Sequence, residues 1–392
     1  MALPEVKVNR KAASRVASGH PWLFSSDVVH RGAAQPGDVV RVADAGGRPL
    51  GVAHYSSTSQ ITLRLLSRRV EPVDRAFYVR RLERALAFRR QVVRESDSYR
   101  VVFGEADLLP GLVIDCYGGA HYVVQTLTQG MDKALPVILD ALGEVCAPAS
   151  VVARNDVAVR EKESLPLETR VLWGEAPERV ECRFNGLTWQ VDLLGGQKTG
   201  IYLDQRENYV AAARWARGKA LDCFTSTGGF SLHMAGRCEG VEAVDSSAGA
   251  LATAAANASR NGIGNVHWRE ANAFDVLAGH HSAGRHFDTI VLDPPAFTKS
   301  RDAVEGAIRG YREINLRALK LLRAGGVLVS CSCSHHVSEA MLLEVIAEAA
   351  LDAGKQLRVV ERRSQAADHP ILLTVPETLY LKCLVFQVAE SY

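Results

Sequence analysis

The feature that most constrains this chain is the alternation that begins near Gly218. Short apolar runs at Ala220 to Cys223, Val241 to Val244, Val266 to Trp268, Thr289 to Leu292, Val327 to Ser330 and Leu357 to Val360 are separated by longer stretches of helical periodicity. Strands and helices in such alternation bury their apolar faces when the strands lie parallel and helices cover the sheet, the doubly wound α/β arrangement. A last run, Tyr380 to Val388, follows the sixth strand without a long helix. It is expected to return antiparallel at the sheet edge. Seven strands ending in a hairpin differ from the symmetric dinucleotide-binding arrangement.

The first part of the chain reads differently. Residues 1–72 form short strands between glycine turns, at Val39 to Val42, Leu50 to Tyr55 and Ile61 to Leu66, the pattern of a small β domain. Asp74 to about Val93 has the spacing of an amphipathic helix rich in arginine. With the strands Leu112 to Ile114 and His121 to Gln125 and a helix at Asp132 to Gly143, it belongs to a middle α+β domain of residues 73–190, leaving 191–392 as the third domain. Residues 1–100 carry 18 Lys/Arg and 9 Asp/Glu, net +9, against 28 and 35, net −7, in the remainder. A basic front on an acidic body points to an anionic partner, with nucleic acid first. No uncharged apolar run approaches the ~18 residues of a membrane span. The start has basic residues without an apolar block behind them, and so does not read as a secretory signal. The eight cysteines show no CxxC pair, which fits reduced thiols and a cytoplasmic setting.

Two loops of the third domain carry candidate chemistry. The first strand ends in Asp222-Cys223-Phe224, and Thr225 to Gly229 follows as a tight turn opening a helix. Glycine there lets backbone approach a ligand closely. Asp245 ends the second strand, where an acid can accept hydrogen bonds from ribose hydroxyls. Neither GxGxxG nor GxxxxGK[ST] is present, which favours a nucleoside cofactor without pyrophosphate. Asn272, just past the third strand, can pair with an adenine amino group or serve as an ordinary turn residue.

The fourth strand runs into Asp293-Pro294-Pro295-Ala296-Phe297. Two prolines stiffen this turn and supply no N–H. Asp293 offers a hydrogen-bonding carboxyl, and Pro294 and Phe297 offer a face for a flipped planar base. The fifth strand ends in Cys331-Ser332-Cys333-Ser334-His335-His336 and should open on the same crevice. A thiolate adding to carbon 6 of a pyrimidine makes carbon 5 nucleophilic enough to accept a methyl group, one hard step becoming two easier ones. Asp293 would stabilise that adduct, and a base must then remove the carbon 5 proton. His335, His336, Asp368 and His369 are candidates for that base. Cys331 and Cys333, two residues apart, are expected on one face, with at most one of them catalytic. The CxC and HH spacings match no common zinc module, so no metal is expected.

These residues resemble a known family, the bacterial large-subunit ribosomal RNA cytosine-5 methyltransferases of the RlmI type. The resemblance spans nearly the whole chain: Gly19-His20-Pro21-Trp22-Leu23-Phe24, Gly104 to Gly111, Gln197-Lys198-Thr199-Gly200 with Tyr202, Asp204, Gln205 and Arg206, then Thr227 to Phe230, Asp293-Pro294-Pro295, Ser332-Cys333-Ser334 and Ala367 to Pro370. It implies a PUA β-barrel at 1–72, a family-specific middle domain, and a class I methyltransferase domain with a Rossmann-like seven-stranded sheet. It also implies S-adenosylmethionine as cofactor, held by Asp222, Phe224, Thr225, Gly228, Gly229, Asp245, Asn272, Asp293, Gln205 and Arg206. Methyl transfer to a cytosine of 23S ribosomal RNA, free or in a partly assembled subunit, and a homodimer follow from the same resemblance, which places the nucleophile on Cys333. Pro294-Pro295 stands where some cytosine methyltransferases keep a second cysteine, so product release must work otherwise. Ser226 stands where an aromatic is expected and Ser164 where glycine is usual. Two other readings stay open: methylation of a ring or exocyclic nitrogen of a purine, and a non-catalytic RNA-binding ribosome-assembly factor.

Overall fold

A seven-stranded sheet with helices packed on it organises the second half of the computed structural model, which describes residues 3–196, 201–298 and 303–389. The Gln197 to Gly200 motif lies outside the described residues. In chain order the elements of this half are α1 (Arg206–Trp215), β1 (Gly218–Cys223), α2 (Gly229–Ala235), β2 (Cys238–Asp245), α3 (Ala248–Arg260), β3 (Val266–Glu270), α4 (Ala273–Ser282), β4 (Phe287–Leu292), α5 (Val304–Leu321), β5 (Leu322–Ser332), α6 (Glu339–Asp352), β6 (Leu357–Arg363) and β7 (Lys382–Val388). The spatial order is β3-β2-β1-β4-β5-β7-β6. The first five strands are parallel, and β7 is antiparallel to both neighbours. The expected doubly wound α/β layer is therefore present.

One expectation needs correction. The final strand does return antiparallel, but it inserts between β5 and β6 and leaves β6 at the edge. Composition explains the choice. β7 reads KCLVFQV and is buried almost throughout, whereas β6 reads LRVVERR and leaves charged side chains in water. A strand paired on both sides and covered on both faces needs the apolar sequence, and an edge strand tolerates the charged one.

The core joins the sheet to α4, α5 and α6. Leu221, Ile290 and Leu328 from the strands share one cluster with Val276, Tyr311, Ile314, Leu342 and Ile346 from the helices. Side-chain caps start three of the helices: Ser247 accepts from Ala250 N, Asn272 from Phe274 N and Ser338 from Met341 N.

The chain divides into two units. The second comprises Leu187–Trp189, Asp204–Ala366 and Leu379–Tyr392 and holds the sheet just described. The first comprises Met1–Gly186, Gln190–Leu203 and Ala367–Thr378. It contains a six-stranded sheet in the order Trp22–Phe24, Ile61–Ser67, Pro49–Tyr55, Val39–Asp44, Glu5–Val8 and Val28–His30. It also contains a five-stranded sheet running from Thr169–Gly174 to Tyr99–Phe103, with the helices Arg75–Val92 and Gln129–Cys146 packed together. Two of the motifs meet inside this unit, since Trp22 Nε1 donates to Glu105 Oε1 at 2.8 Å. Within the second of them, Asp107 takes a bidentate grip on buried Arg89.

Candidate active site

The carboxyl ends of β1 and β2 build one half of the site. Asp222 is fully buried at the end of β1. Its Oδ2 accepts from Thr225 Oγ1 at 2.7 Å, Ser231 Oγ at 2.6 Å and Ser231 N at 3.1 Å. Oδ1 is buried without a partner. Burial, opposed by those hydrogen bonds, pushes the Asp222 carboxyl up to about 6. Phe224 and Ser226 both adopt positive φ (66° and 51°), so the loop turns back sharply. That turn aims Ser226 N at Asp245 Oδ2 (2.8 Å), while Ser247 N binds Asp245 Oδ1 at 2.9 Å. Both oxygens of Asp245 are thereby fixed by backbone, with lone pairs left for a further donor.

The glycines of this loop answer first to the protein itself. Gly228 has φ 88°, and a Cβ there would stand 2.9 Å from the Trp268 ring. On Gly229 a Cβ would stand 2.3 Å from Tyr209 Cζ. The close approach that demands glycine is therefore made by protein side chains. Ser226 contributes through its backbone N–H, which an aromatic residue would supply equally, and its buried Oγ has no partner, so nothing in the structure explains the serine. Asn272 caps α4 through Oδ1, accepting from Phe274 N at 2.9 Å. The unpartnered Oδ1 of Asp222, the anchored Asp245 and the exposed Asn272 line up along three adjacent strand ends. That donor and acceptor set fits the amino-acid, ribose and adenine parts of S-adenosylmethionine.

The other half lies at the ends of β4 and β5. Asp293 Oδ2 accepts from Gln205 Nε2 at 3.0 Å, and Gln205 Oε1 in turn accepts from Asn208 Nδ2 at 2.7 Å. Gln205 thus orients the Asp293 carboxyl, and Arg206 opens α1 as a buried residue. Phe297 N donates to Ser334 Oγ at 3.1 Å, so the Asp-Pro-Pro turn is tied to the turn holding Cys333. Ser334 Oγ also meets Tyr311 Oη at 2.9 Å, and Ser332 Oγ meets the same hydroxyl at 2.8 Å. Cys333 sits half-buried between these two pinned serines. Cys331 does not share its setting. It is fully buried opposite Cys383, and burial raises its thiol far above the ordinary range. β5 ends at Ser332, so strand alternation no longer governs Cys333. The Phe297 ring packs on Tyr311 (centroids 4.7 Å apart) and near Phe274 (6.3 Å), within an aromatic cluster. Pro294 is buried beside Asp293.

Sequence reasoning missed Lys382. It opens β7 opposite Ser332, and its buried Nζ donates to Ser334 O at 2.8 Å and Tyr380 O at 2.9 Å. A lysine inside Leu381-Lys382-Cys383-Leu384-Val385-Phe386 was the available signal, since a buried strand rarely admits an ammonium. Asp368 and His369 fall in the first unit. There Asp368 binds Arg100 N at 2.9 Å and its carbonyl receives Arg89 Nη2 at 2.8 Å, a structural partner set. The first unit also carries a cleft of about 440 Å³. Leu65, Leu66 and Phe77 line it together with Arg68, Arg69, Arg80, Arg81 and Arg84, against the single carboxylate of Glu71. Burial, and after it the adjacent Arg84 and Arg80 guanidinium groups, pull the Arg81 pKa down against the opposing carboxylate of Glu71.

Comparison with known proteins agrees with this geometry. A family model described as a PUA-like domain matches residues 6–68, and one described as an S-adenosylmethionine-dependent methyltransferase matches residues 124–387. The ribosomal RNA large subunit methyltransferase I of Shewanella amazonensis is 41% identical over 378 residues, covering 94% of this chain and 95% of that protein. Its counterpart in Klebsiella pneumoniae is 39% identical over 372 residues, 93% of each. Among solved structures, that of SMU.776 complexed with SAH superposes with a TM-score of 0.85 at 20% identity, covering 99% of this chain and 100% of that one. At that identity the likeness is one of fold.

Proposed function

We propose, from the premise that this chain belongs to the S-adenosylmethionine-dependent methyltransferase family, that it methylates carbon 5 of a cytosine in 23S ribosomal RNA through a covalent adduct on Cys333. The observation that carries this reading is the hydrogen bond from Phe297 N to Ser334 Oγ, which joins the turns bearing Asp293 and Cys333. S-adenosylmethionine supplies the electrophilic methyl group. Asp222, Phe224, Thr225, Gly228, Gly229, Asp245 and Asn272 would hold it at the ends of β1 to β3, with Asp293, Gln205 and Arg206 completing the set, and Gln205 also orients Asp293.

The thiolate of Cys333 adds to carbon 6, and the electron pair displaced from the 5,6 double bond is taken up toward ring nitrogen 3, which Asp293 hydrogen-bonds or protonates. Carbon 5, now part of an enamine, takes the methyl group, the S–CH3 bond breaking with its electron pair left on sulfur in S-adenosylhomocysteine. Loss of the carbon 5 proton to a base then expels the Cys333 thiolate and restores the ring. Pro294 and Phe297 shape the turn against which the base rests.

The arginine cleft of the first unit supports RNA as the partner, because guanidinium groups above an apolar floor suit phosphates and unstacked bases. The domain division at 72 and 190, a homodimer and a cytoplasmic setting belong to the same reading, and light scattering of the purified protein tests the dimer. Nucleoside mass spectrometry tests the chemistry. Unmodified large-subunit RNA is incubated with S-adenosylmethionine and either the wild-type protein or Cys333→Ala. New 5-methylcytidine from the wild type alone is expected. A methylated purine would move the assignment to nitrogen methylation, and no product at all would favour the assembly-factor reading.

A further inference from the structure

The turn that carries Cys333 is held from two sides. Tyr311 of α5 binds the side chains of Ser332 and Ser334, one residue before and one after the thiol. From the other side Lys382 of β7 reaches the Ser334 carbonyl and the Tyr380 carbonyl. Two of its three N–H bonds are thus committed to backbone, which fixes where the ammonium sits. An ammonium is rarely left inside a sheet unless something of opposite charge faces it. The groups that bear electrostatically on Lys382 are Cys333 and Glu339, and both favour its charged form. Other titratable groups on the neighbouring elements, among the described residues, include Tyr311, Asp293 of the adjoining turn, and His335 with His336 just downstream in sequence. Asp293, which also bears on Tyr311 and Cys331, is the carboxyl of the set nearest in role to the thiol. A carboxylate there disfavours a thiolate, and Lys382 is the cation placed to offset it.

We infer that Lys382 is a positioning residue for Cys333: as an ammonium it pins the Ser334 carbonyl and supplies the positive charge that lets the thiol react as thiolate. The inference rests on the proposed role of Cys333, but it can be tested apart from methyl transfer. Burial brings the Lys382 pKa down to about 8, so the group is still charged in most molecules at neutral pH. The thiolate is the species that alkylates.

The experiment follows iodoacetamide alkylation of Cys333 against pH in the full chain without RNA or cofactor, read by peptide mass spectrometry, in wild type, Lys382→Met and Lys382→Arg. In the wild type the midpoint should lie below the ~8.5 of an ordinary thiol. Lys382→Met should raise it by about one unit and slow alkylation at neutral pH about tenfold. Lys382→Arg should stay near wild type. A Lys382→Met midpoint equal to wild type overturns the inference. Should Lys382→Met fail to unfold cooperatively, the wild-type midpoint decides, and a value at or above the ordinary one overturns it equally. A shifted midpoint in Lys382→Met combined with full methylation by Cys333→Ala keeps the positioning role and removes the nucleophile assignment instead.

Discussion

Replacing Asp222 by asparagine should remove a pH-dependent penalty that the fold carries in the absence of cofactor. The wild-type carboxyl is lifted to about 6 by burial, against ~3.9 in an unfolded chain. Between those values the folded state binds more protons than the unfolded state, so stability from this group rises as pH falls and is lost as pH climbs through 6. At 1.36 kcal/mol per unit, the penalty at pH 7.5 is about 3 kcal/mol. Asparagine removes the charge, and its oxygen can keep the three donors now on Oδ2. Its nitrogen must then occupy the place of Oδ1, which has no partner, at a cost of about 1–3 kcal/mol for an unpaired buried donor. Asp222→Asn should therefore be neutral to about 2 kcal/mol more stable than wild type at pH 7.5. Near pH 4.5, where the wild-type penalty has fallen to about 1 kcal/mol, the variant should be less stable than wild type by about 0–2 kcal/mol. Urea unfolding of the cofactor-free protein across that range measures the difference. A wild-type-minus-variant difference that stays flat with pH would refute the reasoning. Calorimetry with S-adenosylhomocysteine should meanwhile show binding weakened about 10- to 100-fold, the worth of a hydrogen bond to a charged group.

Gly229→Ala should lower stability by about 1–3 kcal/mol in thermal unfolding, because its Cβ meets the Tyr209 ring and overpacking outweighs the helix propensity gained. An unchanged melting temperature would show that Tyr209 yields freely. Ser164→Gly should stabilise by roughly 0.5–1 kcal/mol in urea, since Ser164 sits at φ 53° at the end of a short helix, where glycine is unstrained. Changing Arg68, Arg69 and Arg84 together to serine should weaken binding of a single-stranded RNA oligomer and flatten its dependence on salt, by about 0.7 in log–log slope per lost phosphate contact. Fluorescence anisotropy between low and moderate salt reads this, and an unaltered slope would place the RNA elsewhere.

The parallel part of the sheet was legible because each strand is a short apolar run with helical spacing after it. The Asp-Pro-Pro turn and the Cys331-Ser332-Cys333 run stood out as candidates because proline pairs and strand-end thiols are unusual in such places, while the choice of Cys333 over Cys331 came from the family resemblance and not from the residues alone. The position of β7 was not, since chain order suggests a hairpin at the rim, and only the contrast between the charged β6 and the apolar β7 decides which strand goes inside. Lys382 escaped for a related reason: in sequence it is one charge at the start of an apolar run, and its meaning comes from a register that puts it across from Ser332. The glycines at 228 and 229 were read as making room for a ligand; that they also accommodate the rings of Trp268 and Tyr209 was not visible in the sequence, because those residues lie on other elements, β3 and α1.

The insertion of β7 between β5 and β6 also sets an order of events during synthesis. β5 is complete at Ser332, but its free edge stays open while α6, β6 and the loop through Thr378 emerge from the ribosome. Until β7 docks, that edge is an unpaired row of backbone donors and acceptors, a hazard for wrong pairing between nascent chains. The same docking delivers Lys382 to the Cys333 turn. A polypeptide released early would therefore expose a sticky strand and leave the turn holding Cys333 without the Lys382 contact to its Ser334 carbonyl.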